Sequence, residues 1–561
     1  MPVPQPQMHD ELSYLLAADT FSQGRLTNPA HSLSIFFDTF HVIQHPTYAS
    51  MYPPAQGAVL AFGNLLGHPW IGVLLSTAAM CVAISWMLQS WVSAPWALLG
   101  GTLVLFRVGI FSYWINSYWG GSVAAMGAAL VIGAWPRLLK NLRKRDAGIL
   151  GCGVGILAIS RPLEGFIFCI PVALSILWYA RLSPRPKTSA IKGPAIVLAS
   201  TLICILGFIA YNNWRVTGSP RVFPYSIEQR SYLTSPVFVW QGNKPQLTYS
   251  NAQFDDFYNR WLPTMYRPGR PGFQKITKDK FREFWRFFLG PALSIPLLLI
   301  PWVIRSRNER ALLAQFTLSW IGLIAVAWFH PHYAAPLMTT TMILVILGLR
   351  KLRNWQFRGR PVGVRIVWLI VLFSILIGPV HFLISRSPSL SELCSFAPEG
   401  MPPRYIFGLA ITILAIFLLR LRSGHSPQLS GRAPIGKSAF AEFLLLILAI
   451  TQVCIAERTL HPGHFVFNDP WVWSARVAIQ QRFKSIPGQH LLLVKYAPDH
   501  NVHDELVYNA ADIDRAKLVW AREIPGQDLD PLLSYYQNRK VWVVEPDEKP
   551  FRLYPYSPGR P

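Results

Sequence analysis

Four short stretches bring together side chains that could do chemistry. His9-Asp10-Glu11 puts an imidazole and two carboxyls at the head of a helical stretch over 10–22. Tyr52-Pro53-Pro54 breaks the chain before a second apolar stretch. Arg161-Pro162-Leu163-Glu164 lies between two apolar runs, and His330-Pro331-His332-Tyr333 lies at the start of another. A carboxylate in the first turn of a helix is favoured by free N–H groups and the helix dipole, so the plain reading of Asp10 is a helix cap. An Arg and a Glu near bilayer depth cost a few kcal/mol each when unpaired. Arg161 and Glu164 therefore either pair with each other or hold a ligand, with Arg161 suited to a phosphate. His332 and Tyr333 offer hydrogen-bonding groups for a phosphate or a sugar. With His330 they leave a divalent metal open, but two imidazoles make no zinc site without further ligands. Gly120, Gly121 and Gly127 permit close helix packing.

The elements that must position these residues are membrane spans. Of 561 residues, 52% are hydrophobic and only 14% charged, against about 25% charged in a soluble protein. Runs near the spanning length of about 20 residues fall at about 69–91, 95–113, 119–136, 147–161, 165–180, 193–212, 287–304, 311–329, 334–349, 365–385, 405–420 and 438–455, about twelve spans in all. Every second loop is basic: Arg137 to Arg145, Arg181 to Lys192, Arg305 to Arg310, Arg350 to Arg365 and Arg420 to Lys437 hold 22 Lys and Arg between them. That asymmetry marks these loops as cytoplasmic and absorbs most of the +24 charge. A nucleic-acid binder would gather its basic residues on one soluble face, so nucleic acid is not an expected partner. The opposite side receives residues 1–68, a loop at about 213–286, a loop at about 386–404, and the chain from about 456.

The expected fold class is an all-α polytopic bundle with amphipathic outer-face helices and a small C-terminal α/β domain. The boundaries are 1–458 for the membrane domain and 459–561 for the extracytoplasmic one. Leu12, Leu15, Leu16 and Ala17 give the 10–22 helix one apolar side, and 55–66 reads as an interfacial helix. Phe273 to Phe288 is amphipathic, with Lys275, Lys278, Lys280, Arg282 and Arg286 supplying charge to a headgroup surface. His503 to Leu506 repeats His9 to Leu12 letter for letter, a match expected by chance. Five of the six cysteines fall in or beside apolar runs, so no disulfide framework is implied. An outer N-terminus with no early spanning helix leads to the expectation that a first helix precedes the sequence given.

An acidic pair opening an outer-face helix, a Pro-Pro step into an interfacial helix, and then many spans together resemble the C-type glycosyltransferase superfamily. The branch is that of protein O-mannosyltransferases, lipid A aminoarabinose transferases and RgtA-like bacterial transferases. The resemblance covers about residues 8–350. It implies a hexosyl- or pentosyltransferase that moves a sugar from a polyprenyl-phosphate donor to an extracytoplasmic acceptor, in the inner membrane of a bacterium. Asp10 is the position matching the family's acceptor-contacting base, with Glu11 its neighbour. His9, Tyr52, Asn116, Arg161, Glu164, His330, His332 and Tyr333 are the substrate-binding candidates. The sugar phosphate is already a good leaving group. The transferase needs a base for the acceptor hydroxyl and positive charge for the departing phosphate, and a single displacement inverts the anomeric centre. Two positions depart from the family pattern. Tyr52 stands where a basic residue often precedes Pro-Pro, and Asn116 stands in a second outer loop that often carries an acid. With that acid missing, a metal held by two carboxylates is not expected, nor any other cofactor.

Two other classes fit the same composition. A transporter or flippase would have repeated halves and ionisable residues at mid-bilayer, and Arg107 is the clearest in-span charge. A non-catalytic scaffold would use the C-terminal domain to meet an envelope partner.

Overall fold

A computed structural model describes residues 3–181, 188–265, 270–356, 361–386 and 474–557. The expected spans at 405–420 and 438–455, the loop at 386–404 and the basic loop Arg420 to Lys437 lie outside the described residues. Among those described, five helices are long and apolar enough to cross a membrane: Pro69–Leu88 (α3), Gly121–Asn141 (α5), Pro162–Arg181 (α7), Thr188–Thr217 (α8) and Pro331–Arg353, whose regular part is Ala335–Arg353 (α16). Gly272–Ser294 and Pro296–Val303 qualify together only as a pair bent by 71°. The run read as one span at 287–304 is thus broken, because Gly290 adopts φ 60° and Pro296 follows. Ala94–Val104 (α4), Lys144–Ala158 (α6), Arg307–Ala325 (α15) and Val362–Arg386 (α17) complete the helical layer.

Small residues let the spans touch backbone to backbone. A Cβ on Gly127 of α5 would lie 3.1 Å from the Gly153 carbonyl of α6, and one on Gly153 would lie 2.7 Å from the Gly127 carbonyl. A Cβ on Gly121 would strike the Trp114 ring. The buried centre is α16, where Met338, Met342, Ile343, Val345 and Ile346 are fully enclosed. Arg107 donates to the Phe287 carbonyl at 3.1 Å and the Arg286 carbonyl at 2.5 Å. Its charge caps a turn inside the bundle, a structural role for this in-span cation.

Outside this layer lie His9–Ser22 (α1), Pro54–Leu65 (α2), and a small antiparallel sheet of Asn28–Pro29 (β1), Val42–Ile43 (β2) and Thr47–Ser50 (β3). Beside them run Pro224–Ser231 (α9), Ala252–Phe254 (α10), Leu262–Met265 (α11) and Arg270–Phe284 (α12). The bent segment holds Gly290–Ser294 (α13) and Ile300–Val303 (α14). The C-terminal unit has a four-stranded sheet in the order β5-β4-β6-β7. His490–Val494 (β4) runs parallel to both Leu518–Arg522 (β5) and Lys540–Glu545 (β6), and Arg552–Pro555 (β7) is antiparallel to β6. Helices Ser474–Lys484 (α18) and Asp530–Tyr535 (α19) accompany it.

Two amphipathic expectations need correction. Helix α1 is buried on both sides rather than one. Leu12 and Leu16 pack with Phe36, Phe37, Leu491 and Leu493 of the C-terminal sheet, while Tyr14 and Ala18 pack with Leu60, Val73 and Tyr118 on the membrane side. Lys280 of α12 does not face headgroups. It is buried, and its ammonium donates to the carbonyls of Leu323 (2.8 Å), Ile324 (3.3 Å) and Val326, closing the C-terminus of α15. The four described cysteines, Cys81, Cys152, Cys169 and Cys204, are free.

Candidate functional site

The site forms where α1 meets the ends of α5, α7 and α16. These are the ends opposite the basic stretches that close the same helices at Lys140, Arg181 and Arg350 to Arg353. Successive residues of a helix point about 100° apart, and the three head residues of α1 accordingly reach in three directions. His9 stacks on Phe40 (centroids 4.3 Å) and meets the Val502 carbonyl at 2.9 Å, towards the C-terminal unit. Asp10 accepts a short hydrogen bond from the Tyr52 hydroxyl. Glu11 accepts from the Gln7 and Tyr118 backbone N–H groups, each at 3.3 Å. Glu11 thus ties the segment before α1 to the loop at Tyr118, and the Asp10 carboxylate turns to Tyr52.

Tyr52 is placed by the Pro-Pro step. Pro54 opens α2 at a first-turn position that needs no N–H, and Ala55 N–H donates to the Ile159 carbonyl at 3.0 Å. That bond ties the start of α2 to the end of α6, two residues before Arg161. Tyr52 stacks on Tyr14 at 4.4 Å. The Arg161 guanidinium lies 4.1 Å from the centroid of the Tyr333 ring. Arg161 and Glu164 make no ion pair within 4.0 Å, though the Glu164 charge still acts on the guanidinium. Glu164 also lines a small apolar pocket with Ile167, Phe168, Tyr333, Pro336 and Leu337.

His332 shares a 2.8 Å hydrogen bond with the Tyr113 hydroxyl and packs against Trp119 at 4.4 Å, while His330 is exposed and stacks on His332 at 5.5 Å. Asn116 rides in the loop between Tyr113 and Tyr118, whose course is fixed by Trp70 Nε1 donating to Ile115 (2.7 Å) and Gln56 Nε2 donating to Tyr118 (2.7 Å). Asp10, Tyr52, Arg161, His330, His332 and Tyr333 thus share one end of the bundle. Among the described residues no group of three or more His, Cys, Asp or Glu side chains is gathered as a metal set.

The two neighbouring carboxyls of α1 have opposite electrostatics. Burial pushes Asp10 up, but the His41 imidazole, the Tyr52 hydroxyl, His330 and His9 outweigh it and hold the group below the ordinary carboxylate value. Burial dominates at Glu11 and raises it to about 8 against its two backbone donors. His9 is held well below the usual imidazole value by burial, then by His41 and His503. At neutral pH the site therefore presents an ionised Asp10, a protonated Glu11 and a neutral His9, the separation of roles that lets one site hold both an acid and a base.

Residues not singled out in the sequence complete the surroundings. His41 lies beside Tyr52 (5.9 Å between centroids) with its Nδ1 3.6 Å from Glu228 Oε1. Tyr258 donates to the same Glu228 oxygen at 2.9 Å. His503 of the C-terminal unit lies 5.8 Å from His9 and 4.6 Å from Trp261, ring to ring. The repeated His-Asp-Glu-Leu tetrads thus meet through their first residues.

No family model and no curated relative matches the sequence. Among solved structures, the chain aligns over 97% of its length with ArnT from Cupriavidus metallidurans bound to undecaprenyl phosphate. The alignment covers 89% of that chain at 14% identity and a TM-score of 0.48. It also aligns over 96% of its length with an oligosaccharyltransferase from Archaeoglobus fulgidus in complex with Zn and sulfate, covering 64% of that chain at 12% identity and a TM-score of 0.42.

Proposed function

We propose that this protein is an integral-membrane glycosyltransferase that passes a sugar from a polyprenyl-phosphate donor to an acceptor outside the cytoplasm. One observation carries the reading: an ionised carboxylate at Asp10 and the Arg161 guanidinium lie at one end of the helical layer, bridged by the Tyr52, Tyr14 and Tyr333 rings. A polyprenyl tail lies in apolar surroundings, and its phosphate needs a fixed cation at their edge. In the reaction the acceptor oxygen forms a bond to the anomeric carbon while the bond from that carbon to the phosphate oxygen breaks. The electron pair leaves on the phosphate, facing Arg161, with Tyr333 holding the guanidinium from one side. The acceptor proton passes to Asp10, and the anomeric centre inverts. Glu164, His330 and His332 border the donor, and Tyr52 sets the Asp10 carboxylate. The C-terminal unit and the α1 side of the bundle are extracytoplasmic, and the basic helix ends are cytoplasmic. Residues 1–458 form the membrane domain and 459–561 the outer one.

The test is release of undecaprenyl phosphate from undecaprenyl-phosphate-linked pentose and hexose donors by the purified protein, with membrane extract supplying acceptors. Asp10→Asn lowers turnover at least 10²-fold, the usual size of a general-base contribution, with little change in donor KM. Arg161→Gln raises donor KM as well. Equal turnover by Asp10→Asn and the unaltered protein would overturn the assignment.

A further inference from the structure

We propose that the turn at 237–241 is an outer-leaflet anchor, with Trp240 inserted among phospholipid headgroups beside the end of α15. The proposal takes α15 as a span, as the reading above does, and needs no catalysis. Helix α15 starts at Arg307, within the basic stretch Arg305 to Arg310, and ends at Ala325. Its 19 residues rise about 28 Å at the α-helical step, close to the hydrocarbon core of roughly 30 Å. With the basic end at one membrane face, Ala325 stands at the level of the other. Ile321 lies four residues earlier, on the same face of the helix. It is 58% exposed and marks the side of α15 turned away from the bundle.

Backbone bonds fix the turn to that helix end. Val239 N–H donates to the Ala325 carbonyl at 2.9 Å, and Ala327 N–H donates to the Val237 carbonyl at 2.8 Å, an antiparallel bridge centred on Phe238 and Val326. The Ala325 carbonyl is one of those that a helix end leaves without an internal donor. Gln241 N–H donates to the Phe238 carbonyl at 2.9 Å, and the Gln241 side-chain oxygen accepts from the Val237 and Phe238 N–H groups at 3.0 and 3.1 Å. The turn is closed from both sides and carries Trp240 at its tip. The indole lies flat on the Phe238 ring, with centroids 4.8 Å apart and 3° between the planes, and is 69% exposed. Left in water, an aromatic of this size forgoes its burial energy. An apolar body with one N–H instead suits the headgroup level, where Trp gathers. Lys280 brings α12 to the same helix end. There Phe281 is half exposed and stacks on Trp320 at 4.2 Å, and the exposed Lys275 and Lys278 of the same helix offer charge to lipid phosphate. The bridge makes the exposed indole continuous with the span, so the bilayer around α15 is what covers it.

The experiment is photocrosslinking by the full-length protein in nanodiscs of phosphatidylethanolamine and phosphatidylglycerol, with adducts read by mass spectrometry. Three variants each carry one p-benzoylphenylalanine, in place of Trp240, Ile321 or Arg515. All three side chains are exposed, so the fold is kept, and equal Tm values check this. The Trp240 position gives a phospholipid adduct in a yield like that at Ile321. The Arg515 position, on the C-terminal unit, gives none. If the Trp240 position forms no lipid adduct while Ile321 does, the anchor is wrong and α15 remains a span. This holds whether the Trp240 position reacts with its own chain, a second copy or nothing. Lipid adducts at neither position would overturn the placement of α15 and this proposal with it. No turnover is measured, so each result leaves the transferase reading to its own assay.

Discussion

Glu11 is a buried acid with a pKa of about 8 beside an ionised Asp10, and this has a measurable consequence for stability. Its folded value lies above its unfolded one of about 4.5. The folded chain therefore binds a proton that the unfolded chain has released across that interval, and stability falls as pH rises through it. The contribution is full below about pH 4.5 and lost by about pH 8, on the order of a few kcal/mol. Glu11→Gln keeps the acceptor oxygen for Gln7 or Tyr118 and removes the titration. Thermal unfolding in detergent should then show a flatter dependence of Tm on pH between 5 and 8, and an unchanged slope would show that Glu11 is ionised in the fold. Asp10, Tyr52 and Arg161 were legible as chemistry because each sits in a short dense motif. His41 and Glu228 were not, because each is a single letter in polar surroundings. Their pairing exists only across a separation in sequence of nearly two hundred positions, and no periodicity signals the left-handed backbone of His41, at φ 63°.

Element by element, the helix starts could be read and the helix environments could not. Prolines at 54, 69, 162 and 331 announce α2, α3, α7 and the turn before α16. Ser306 and Glu309 form the capping box that opens α15. Helix α12 misleads because periodicity reports which residues share a face and not what that face meets. Lys280 falls among its charges, yet it meets the open end of α15 and supplies donors to three carbonyls. Replacing it with methionine preserves stem volume and leaves those carbonyls without the ammonium. A loss of about 1–3 kcal/mol follows from unmet buried acceptors, visible as a Tm lower by several degrees in detergent. Lys278→Met, one turn-fraction away and exposed, should change Tm by less than a degree or two, since isolated surface charges contribute little. Equal effects from the two variants would show that the cap does not hold in the membrane-embedded protein.

At the scale of the molecule, the C-terminal unit belongs to the site's architecture through a buried polar junction. Arg522 of β5 is fully enclosed and donates to Glu505 at 2.5 Å, to Gln253 at 2.9 Å and to the Asp38 carbonyl at 3.3 Å. It thereby joins the C-terminal sheet to α10 and to the segment leading to His41. Tyr496 donates to the second Glu505 oxygen at 2.5 Å. The loop carrying Val502 and His503 against His9 is fixed by that junction. Composition revealed an α/β unit after the spans, but not that it would share a core with α1, because Leu12 and Leu16 read as the apolar side of an interfacial helix. Removing one partner of a buried ion pair strands the other, at about 3–5 kcal/mol, whereas replacing both by apolar groups is often neutral. Arg522→Met should therefore lower Tm steeply and lower turnover of the lipid donor with it, since the loop against His9 loses its anchor. Arg522→Met with Glu505→Leu should restore most of the Tm. If stability returns but turnover does not, the loop's polar anchoring serves the reaction. Recovery of both together would limit the junction to folding, and a single variant as stable as the unaltered chain would show that the Arg522–Glu505 pair does not hold the junction.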